Sequence, residues 1–244
     1  MEGRLHKFDA RKFYEPVFSM DMFVQTETHT IVKLESMPTS LEFDPTDTEV
    51  LYVTTTEGTI YEIGINQNSF QEKQVFQRIA NAPITCLKFM DFKNFFKDIG
   101  TMRKVSGNRV KIPNFYVTSS FDWNVKFFQE SLGNEVALNN YHSDFVTCLD
   151  VNNQLCPFTM ASGDAEGRLA VWKIEQNYTT QPAVEWNALN AISKLKWSPS
   201  GLQLAVGDVR GEVNVFTFAK SKLMLSEKMM NLYSSEGLGK LMSD

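Results

Sequence analysis

The side chains that could do chemistry gather around one histidine. His142 lies upstream of Ser162, Asp164, Glu166 and Trp172, and a Ser, His and acid set is what a hydrolase uses to turn a hydroxyl into a nucleophile. The same types also build structural networks that tie a loop to a strand. His142, Ser162, Glu166 and Trp172 fit the second role, because a repeat of the kind described below already needs such a set to fix its turn. Asp164 and Glu166 stand at alternate positions beside that turn, where a carboxylate pair is more readily solvated than catalytic. His6 and His29 lie in unrelated contexts, so no cluster of metal-ligand types forms. Neither a GxxxxGK[ST] loop nor a GxGxxG run occurs. No catalytic, cofactor-binding or metal-binding residue is therefore singled out, no cofactor is implied, and a protein that is not an enzyme is expected.

Composition narrows the partners. Of 244 residues, 43% are apolar and 22% charged, which suits a globular chain with a sizeable core. Nineteen Phe, seven Tyr and four Trp lean toward sheet, where aromatic side chains pack well. A formal net charge of -5 argues against nucleic acid, whose phosphates need clustered Lys and Arg. Cys86, Cys148 and Cys156 are an odd, sparse set without Cys-x-x-Cys spacing, so a reducing, cytoplasmic setting is expected. The first seven residues lack the apolar centre of a signal peptide, and no run of about 18 apolar residues appears. Membrane insertion is not expected.

The elements that would carry these residues repeat. Thr39-Ser40-Leu41-Glu42-Phe43, Thr85-Cys86-Leu87-Lys88-Phe89, Thr147-Cys148-Leu149-Asp150-Val151 and Ser193-Lys194-Leu195-Lys196-Trp197 share one pattern, with leucines 46, 62 and 46 residues apart. A strand's period of two places the Thr or Ser, the Leu and the last apolar residue on one buried face. Cys86 and Cys148 then occupy equivalent positions, which suggests packing rather than reactivity. Downstream come tight turns at Glu57-Gly58, Asp122-Trp123, Glu166-Gly167 and Arg210-Gly211. Acid-Gly pairs suit hairpins because Gly accepts the positive φ of primed turns. Asp122 is expected to accept backbone hydrogen bonds in its turn. Trp123 is either an exposed interface residue or, as the reading leans, one folded over the sheet.

Middle strands are expected at 50–53, 115–118, 158–161 and 202–206, and fourth strands at 73–76, 135–138 and 183–186. Four short antiparallel strands per roughly 40 to 45 residues is the mark of a WD-repeat β-propeller blade. The expected fold is all-β, an incomplete WD-repeat propeller of about four and a half four-stranded blades. Residues 1–37 form a half blade and connector. Residues 38–226 form four WD-type blades with an insertion at 92–113, and 227–244 form a C-terminal tail.

The chain starts in mid-blade, at Glu2-Gly3-Arg4-Leu5, so a truncated product or one completed by another polypeptide is expected. The insertion carries six basic residues against one acid between Lys93 and Lys111, and reads as a solvated loop or as a dock for an acidic partner. Beyond Lys222 the chain reads as a short amphipathic helix rich in Met and Leu, or as a closing strand at 222–226.

Phe115-Tyr116-Val117-Thr118-Ser119-Ser120-Phe121-Asp122-Trp123-Asn124-Val125-Lys126-Phe127 resembles the dynein intermediate chain family, in which a Ser-Ser-Phe-Asp-Trp run leads into Val-Lys. Gly167-Arg168-Leu169-Ala170-Val171-Trp172 is similar to its Gly-Arg-Leu-Asp-Leu-Trp strand. The stretch Asn187 to Trp197, with Ser200-Gly201 and Ala205-Val206-Gly207-Asp208, is similar to its last strands. The resemblance spans roughly residues 1 to 220 and is closest to the cytoplasmic branch. It implies a scaffold subunit of the dynein motor that docks on the dynein heavy chain, in the cytoplasm on microtubules. The family's light-chain-binding segments are absent here, so dynein light chains are partners only within a full complex. Two other readings stay open: an axonemal intermediate chain of cilia, and an unrelated WD adaptor in ubiquitin ligation or chromatin.

Overall fold

The computed structural model describes residues 4–11, 14–21, 23–25, 31–33, 37–65, 70–76, 79–92, 115–129, 135–174 and 182–224. The expected insertion beyond residue 92 and all of the tail at 227–244 lie outside these residues. The chain forms two compact units, Met1–Leu87 and Lys88–Asp244.

The first unit holds β1 (Arg4–Lys7), β2 (Phe18–Asp21), β3 (Phe23–Gln25), β4 (Ile31–Lys33), β5 (Pro38–Phe43), β6 (Val50–Thr55), β7 (Ile60–Ile65) and β8 (Phe70–Phe76). β1 pairs with β2 and β3 with β4, and β5-β6-β7-β8 form a four-stranded meander. β3 and β4 flank the expected polar connector, Gln25 to Thr30, of which residues 26–30 lie outside the described residues. Leu5 packs with Leu51, Val53, Tyr61 and Ile63 in this unit's core.

β9 (Ile84–Met90) crosses the border between the units. It is followed by β10 (Phe115–Ser120), β11 (Val125–Gln129), β12 (Glu135–Asn139), β13 (Val146–Val151), β14 (Thr159–Asp164), β15 (Arg168–Lys173), β16 (Pro182–Asn187), β17 (Ile192–Trp197), β18 (Gln203–Asp208) and β19 (Val213–Thr217). Two four-stranded sheets result, β9-β10-β11-β12 and β13-β14-β15-β16, and a three-stranded one, β17-β18-β19. Every pairing with a described register is antiparallel. Among the described residues the chain is therefore all-β, built of sheets of two to four strands, apart from one helical turn, α1 (Lys220–Leu223). That turn stands where the sequence allowed either a helix or a closing strand.

Neighbouring sheets of the second unit pack face to face, β17 against β13 and β14, and β13 against β10. Between the last two sheets lies a core of Cys148, Leu169, Val171, Ile192, Leu195 and Trp197, closed below by Leu223. Fully burying a side chain of this size contributes about 1.5–3 kcal/mol. Cys148 is thus a packing residue, as its repeat position suggested.

Two features of the repeat differ from expectation. The shared Thr or Ser does not simply alternate with the Leu. The register slips across Thr39, Thr147 and Ser193, so each sits in a β-bulge, where one residue lacks a cross-strand mate. Thr147 shares its one hydroxyl proton between Gly163 O, at 3.0 Å, and Ile192 O, and Ser193 donates to Gly207 O at 3.1 Å. Thr39 Oγ1 lies 2.9 Å from Thr54 Oγ1, so the repeated hydroxyl is hydrogen-bonded at each slip.

The other difference is in burial. Leu87, Phe89, Leu149, Val151, Leu195 and Trp197 are buried, whereas Leu41 is 52% and Phe43 59% exposed. In the first unit the apolar layer around Leu5 reaches β6 and β7 and leaves the β5 end of that face uncovered.

Candidate functional site at the turn end of the sheets

Four tight turns share one plan. The N–H of the third loop residue donates back across the turn: Gly58 to Thr55 O, Trp123 to Ser120 O, Gly167 to Asp164 O and Gly211 to Asp208 O, at 3.2–3.3 Å. Only that residue has a positive φ: 77° at Gly58, 69° at Trp123, 91° at Gly167 and 86° at Gly211. Primed turns, expected from the Acid-Gly pairs, need a positive φ at the first central residue as well or instead. These are three-residue loops closing on one left-handed residue.

The left-handed slot explains the glycines and makes Trp123 anomalous. A Cβ on Gly58 would stand 2.1 Å from Ala80 O, and one on Gly167 would stand 2.7 Å from both Ala188 O and Asn190 O. There the next loop sits directly on the turn, held by Ala80 N–H on Gly58 O and Ala188 N–H on Gly167 O. A Cβ on Gly211 would meet nothing within 4 Å. Trp123 is the one non-glycine residue with positive φ among those described, and its side chain is 49% exposed. The sequence leaned toward a Trp folded over the sheet; half of it instead faces solvent. Asp122 behaves as expected, accepting from Asn124 N–H at 3.2 Å, and Lys126 lies 3.8 Å away.

The set around His142 is assembled, with a different acid. Trp172 Nε1–H donates to Ser162 Oγ at 2.8 Å, Ser162 Oγ lies 2.6 Å from His142 Nε2, and His142 Nδ1 lies 2.8 Å from Asp164 Oδ2. Asp164 Oδ1 accepts Arg168 N–H at 2.8 Å. An indole can only donate and this carboxylate accepts, so the protons run from Trp172 to Ser162 to His142 to Asp164. Glu166, nominated from sequence, lies outside the set: it accepts from Ser143 Oγ at 3.1 Å and pairs with Arg168 at 3.0 Å.

Asp164, expected to be solvated, is buried, because strand β14 points it inward under the His142 loop. Ser162, Asp164 and Trp172 have essentially no exposure, and Tyr141 packs edge-on against Trp172 at 5.2 Å. A substrate carbonyl cannot reach Ser162 Oγ. Burial pushes the Tyr141 hydroxyl up to about 12, helped by its hydrogen bond to Glu185. The geometry fixes the loop to the turn and keeps Ser162 Oγ buried and hydrogen-bonded on both sides.

Sequence reasoning weighed Trp123 as an interface residue but passed over Phe121 and Phe145 at this same end. Phe121 and Phe145 are partly exposed and stacked, with centroids 4.7 Å apart and planes at 27°. Phe145 O accepts from Ala165 N–H, and Ala191 O from Val209 N–H, both at 3.0 Å. Together with the Ala188–Gly167 bond, these contacts keep the turns and incoming loops of the second unit at one end of their sheets. The signal available was that Phe121, Trp123 and Phe145 stand at turn positions rather than in strands.

Among the described residues no His, Cys, Asp and Glu cluster could hold a metal ion, and no helix is long and apolar enough to cross a membrane.

No family model matches the chain. It is 28% identical over 110 residues to the cytoplasmic dynein 1 intermediate chain of Drosophila melanogaster, a match covering 44% of this chain and 16% of that protein. Among solved structures, that of the computationally designed Ika4 protein superposes with a TM-score of 0.52 over 75% of this chain and 92% of that one, at 18% identity. That second likeness is one of fold alone, and the first is a partial similarity to a dynein intermediate chain.

Proposed function

We propose that the chain is a non-enzymatic WD-repeat propeller scaffold of the dynein motor, which docks on the dynein heavy chain and supports microtubule-based transport in the cytoplasm. The observation that carries this reading is the 28% identity over 110 residues to a cytoplasmic dynein 1 intermediate chain. Supporting it are the four-stranded meanders that recur at the repeat spacing. In this reading residues 38–226 are four blades, 1–37 a half blade and connector, and the insertion at 92–113 and the tail at 227–244 are appendages.

A binding role also suits the buried Ser162–His142–Asp164 set, which is engaged in holding a turn. The Drosophila relative is named for the cytoplasmic motor, which favours that branch over an axonemal one.

The test is an affinity capture with the full chain as bait in an extract of its source cells. Recovery of dynein heavy chain above a matched propeller control is the expected result. Cullin adaptors or histones recovered in its place would overturn the proposal.

A further inference from the structure

Five large apolar side chains face solvent at the turn end of the second unit: Phe121, Trp123, Phe145, Leu189 and Val209. Scattered surface apolar residues need no explanation, but a contiguous set does. The Phe121–Phe145 stack and the loop-to-turn hydrogen bonds described above link their positions into one row. At its head stands Trp123, held at φ 69° in the slot that the other three turns fill with glycine. A side chain in that conformation costs about 1–2 kcal/mol. Nothing in the turn's own hydrogen bonding requires an indole, since Gly58, Gly167 and Gly211 make the same bonds without one.

We infer that this row is a docking surface for an amphipathic helix whose apolar stripe is flanked by Lys or Arg, with Trp123 as its central contact. The inference rests on the reading of the chain as a docking scaffold and adds where the partner sits and what it presents.

Two observations select that partner. The backbone groups of these turns are bonded within the turns, through Asp208 Oδ1 to Arg210 and Glu212 N–H and Asp164 Oδ1 to Arg168 N–H. An added strand would find few open groups, so recognition falls to side chains, which favours a helix whose own backbone is already satisfied. The charge around the row is acidic. Lys126 and Arg168 are already matched by Asp122 and Glu166, which leaves Asp144, Asp208 and Glu212 against Arg210 and Lys194. Basic flanks on the partner complete that pattern, whereas a second copy of this chain would set acid against acid.

The full chain is titrated with a helical Leu/Lys peptide about 18 residues long, five turns, with leucines on one face, and with its Leu/Glu counterpart. Binding of the Leu/Lys peptide at least about tenfold tighter than the Leu/Glu peptide is expected, falling about tenfold or more in Trp123→Gly. Trp123→Gly suits the φ of the site, so its thermal midpoint stays close to that of the parent and the loss reads as lost contact. Equal binding of the two peptides, undiminished binding by Trp123→Gly, or self-association of the chain that Trp123→Gly abolishes would each overturn the inference. Peptide binding as expected, without capture of dynein heavy chain, fells the motor reading alone. Heavy chain captured equally by parent and Trp123→Gly, with no peptide binding, fells the surface assignment alone.

Discussion

The turn from Ser120 to Asn124 and the turn from Asp164 to Arg168 close with the same hydrogen bonds and the same left-handed third residue. They differ in what surrounds them. At the second, glycine lets the loop at Ala188 sit directly on the turn, and the acid that opens it is locked to His142, Ser162 and Trp172. At the first, Ser120 opens the turn, Asp122 in its loop lies within reach of Lys126, and the left-handed slot carries a half-exposed indole. One local geometry thus serves cohesion at one site and presentation at the other. The turn closure itself is common to both, so what distinguishes them is the side chain that each neighbourhood tolerates.

The comparison is most easily broken at the buried set. Ser162→Ala strands the Trp172 N–H and His142 Nε2 in a site closed to water. Leaving buried polar groups without partners costs about 1–3 kcal/mol each, so urea unfolding of the full chain should show a loss of about 2–4 kcal/mol. A change under about 1 kcal/mol would mean that the network does not hold the turn.

Next in size is the contrast between two glycines with similar φ. Gly167→Ala adds both the left-handed penalty and a clash with the carbonyls of Ala188 and Asn190, together about 2–3 kcal/mol. Gly211→Ala, with open space around its Cβ, should lose about 1 kcal/mol or less. Equal losses in thermal unfolding would show that the loop at Ala188 moves aside freely.

How much of this was legible in the residues follows from the range of each interaction. The strands were legible because their signals are local: Val50–Thr55, Phe115–Ser120 and Arg168–Lys173 each announce a strand within six residues, as short runs rich in apolar side chains that the fold buries along most or all of their length. The bulges were not, because a register slip is set by the partner strand; Thr147 shows its purpose only once Gly163 O and Ile192 O stand beside it. The acid of the His142 set was misassigned to Glu166. Asp164 and Glu166 differ in burial through the direction of β14, which composition around a turn does not report. The exposure of Leu41 and Phe43 was equally hidden, since their pattern matches the buried copies and only the extent of the covering layer separates them.

A smaller effect sharpens the contrast at the left-handed slot itself. At an ordinary exposed position alanine is more stable than glycine, by about 0.5–1 kcal/mol, because glycine gains more freedom on unfolding. At position 123 the order should invert. Both replacements lose the half-covered indole, but only alanine keeps the strained φ. Trp123→Gly is therefore expected to be more stable than Trp123→Ala by about 1 kcal/mol. The usual order in paired denaturant titrations would show that the turn relaxes to a negative φ when the indole is gone.

The last effect becomes visible only in alkali and concerns the ring that covers the buried set. Tyr141 packs against Trp172 and His142, and burial with the Glu185 hydrogen bond raises its hydroxyl from 10.0 to about 12. The folded chain therefore holds this proton to higher pH than the unfolded one. Wherever the folded state binds more protons, stability falls as pH rises. The contribution is complete below about pH 10 and declines as pH climbs toward about 12. Tyr141→Phe removes that group, so the stability difference between parent and variant should be flat up to about pH 9.5 and shift against the parent from there to about pH 12. Taking the difference cancels the other tyrosines and the lysines, which titrate in both chains. No such shift in paired urea titrations across that window would mean that the Tyr141 hydroxyl is solvated, and that the covering of the His142 set is made by its ring alone.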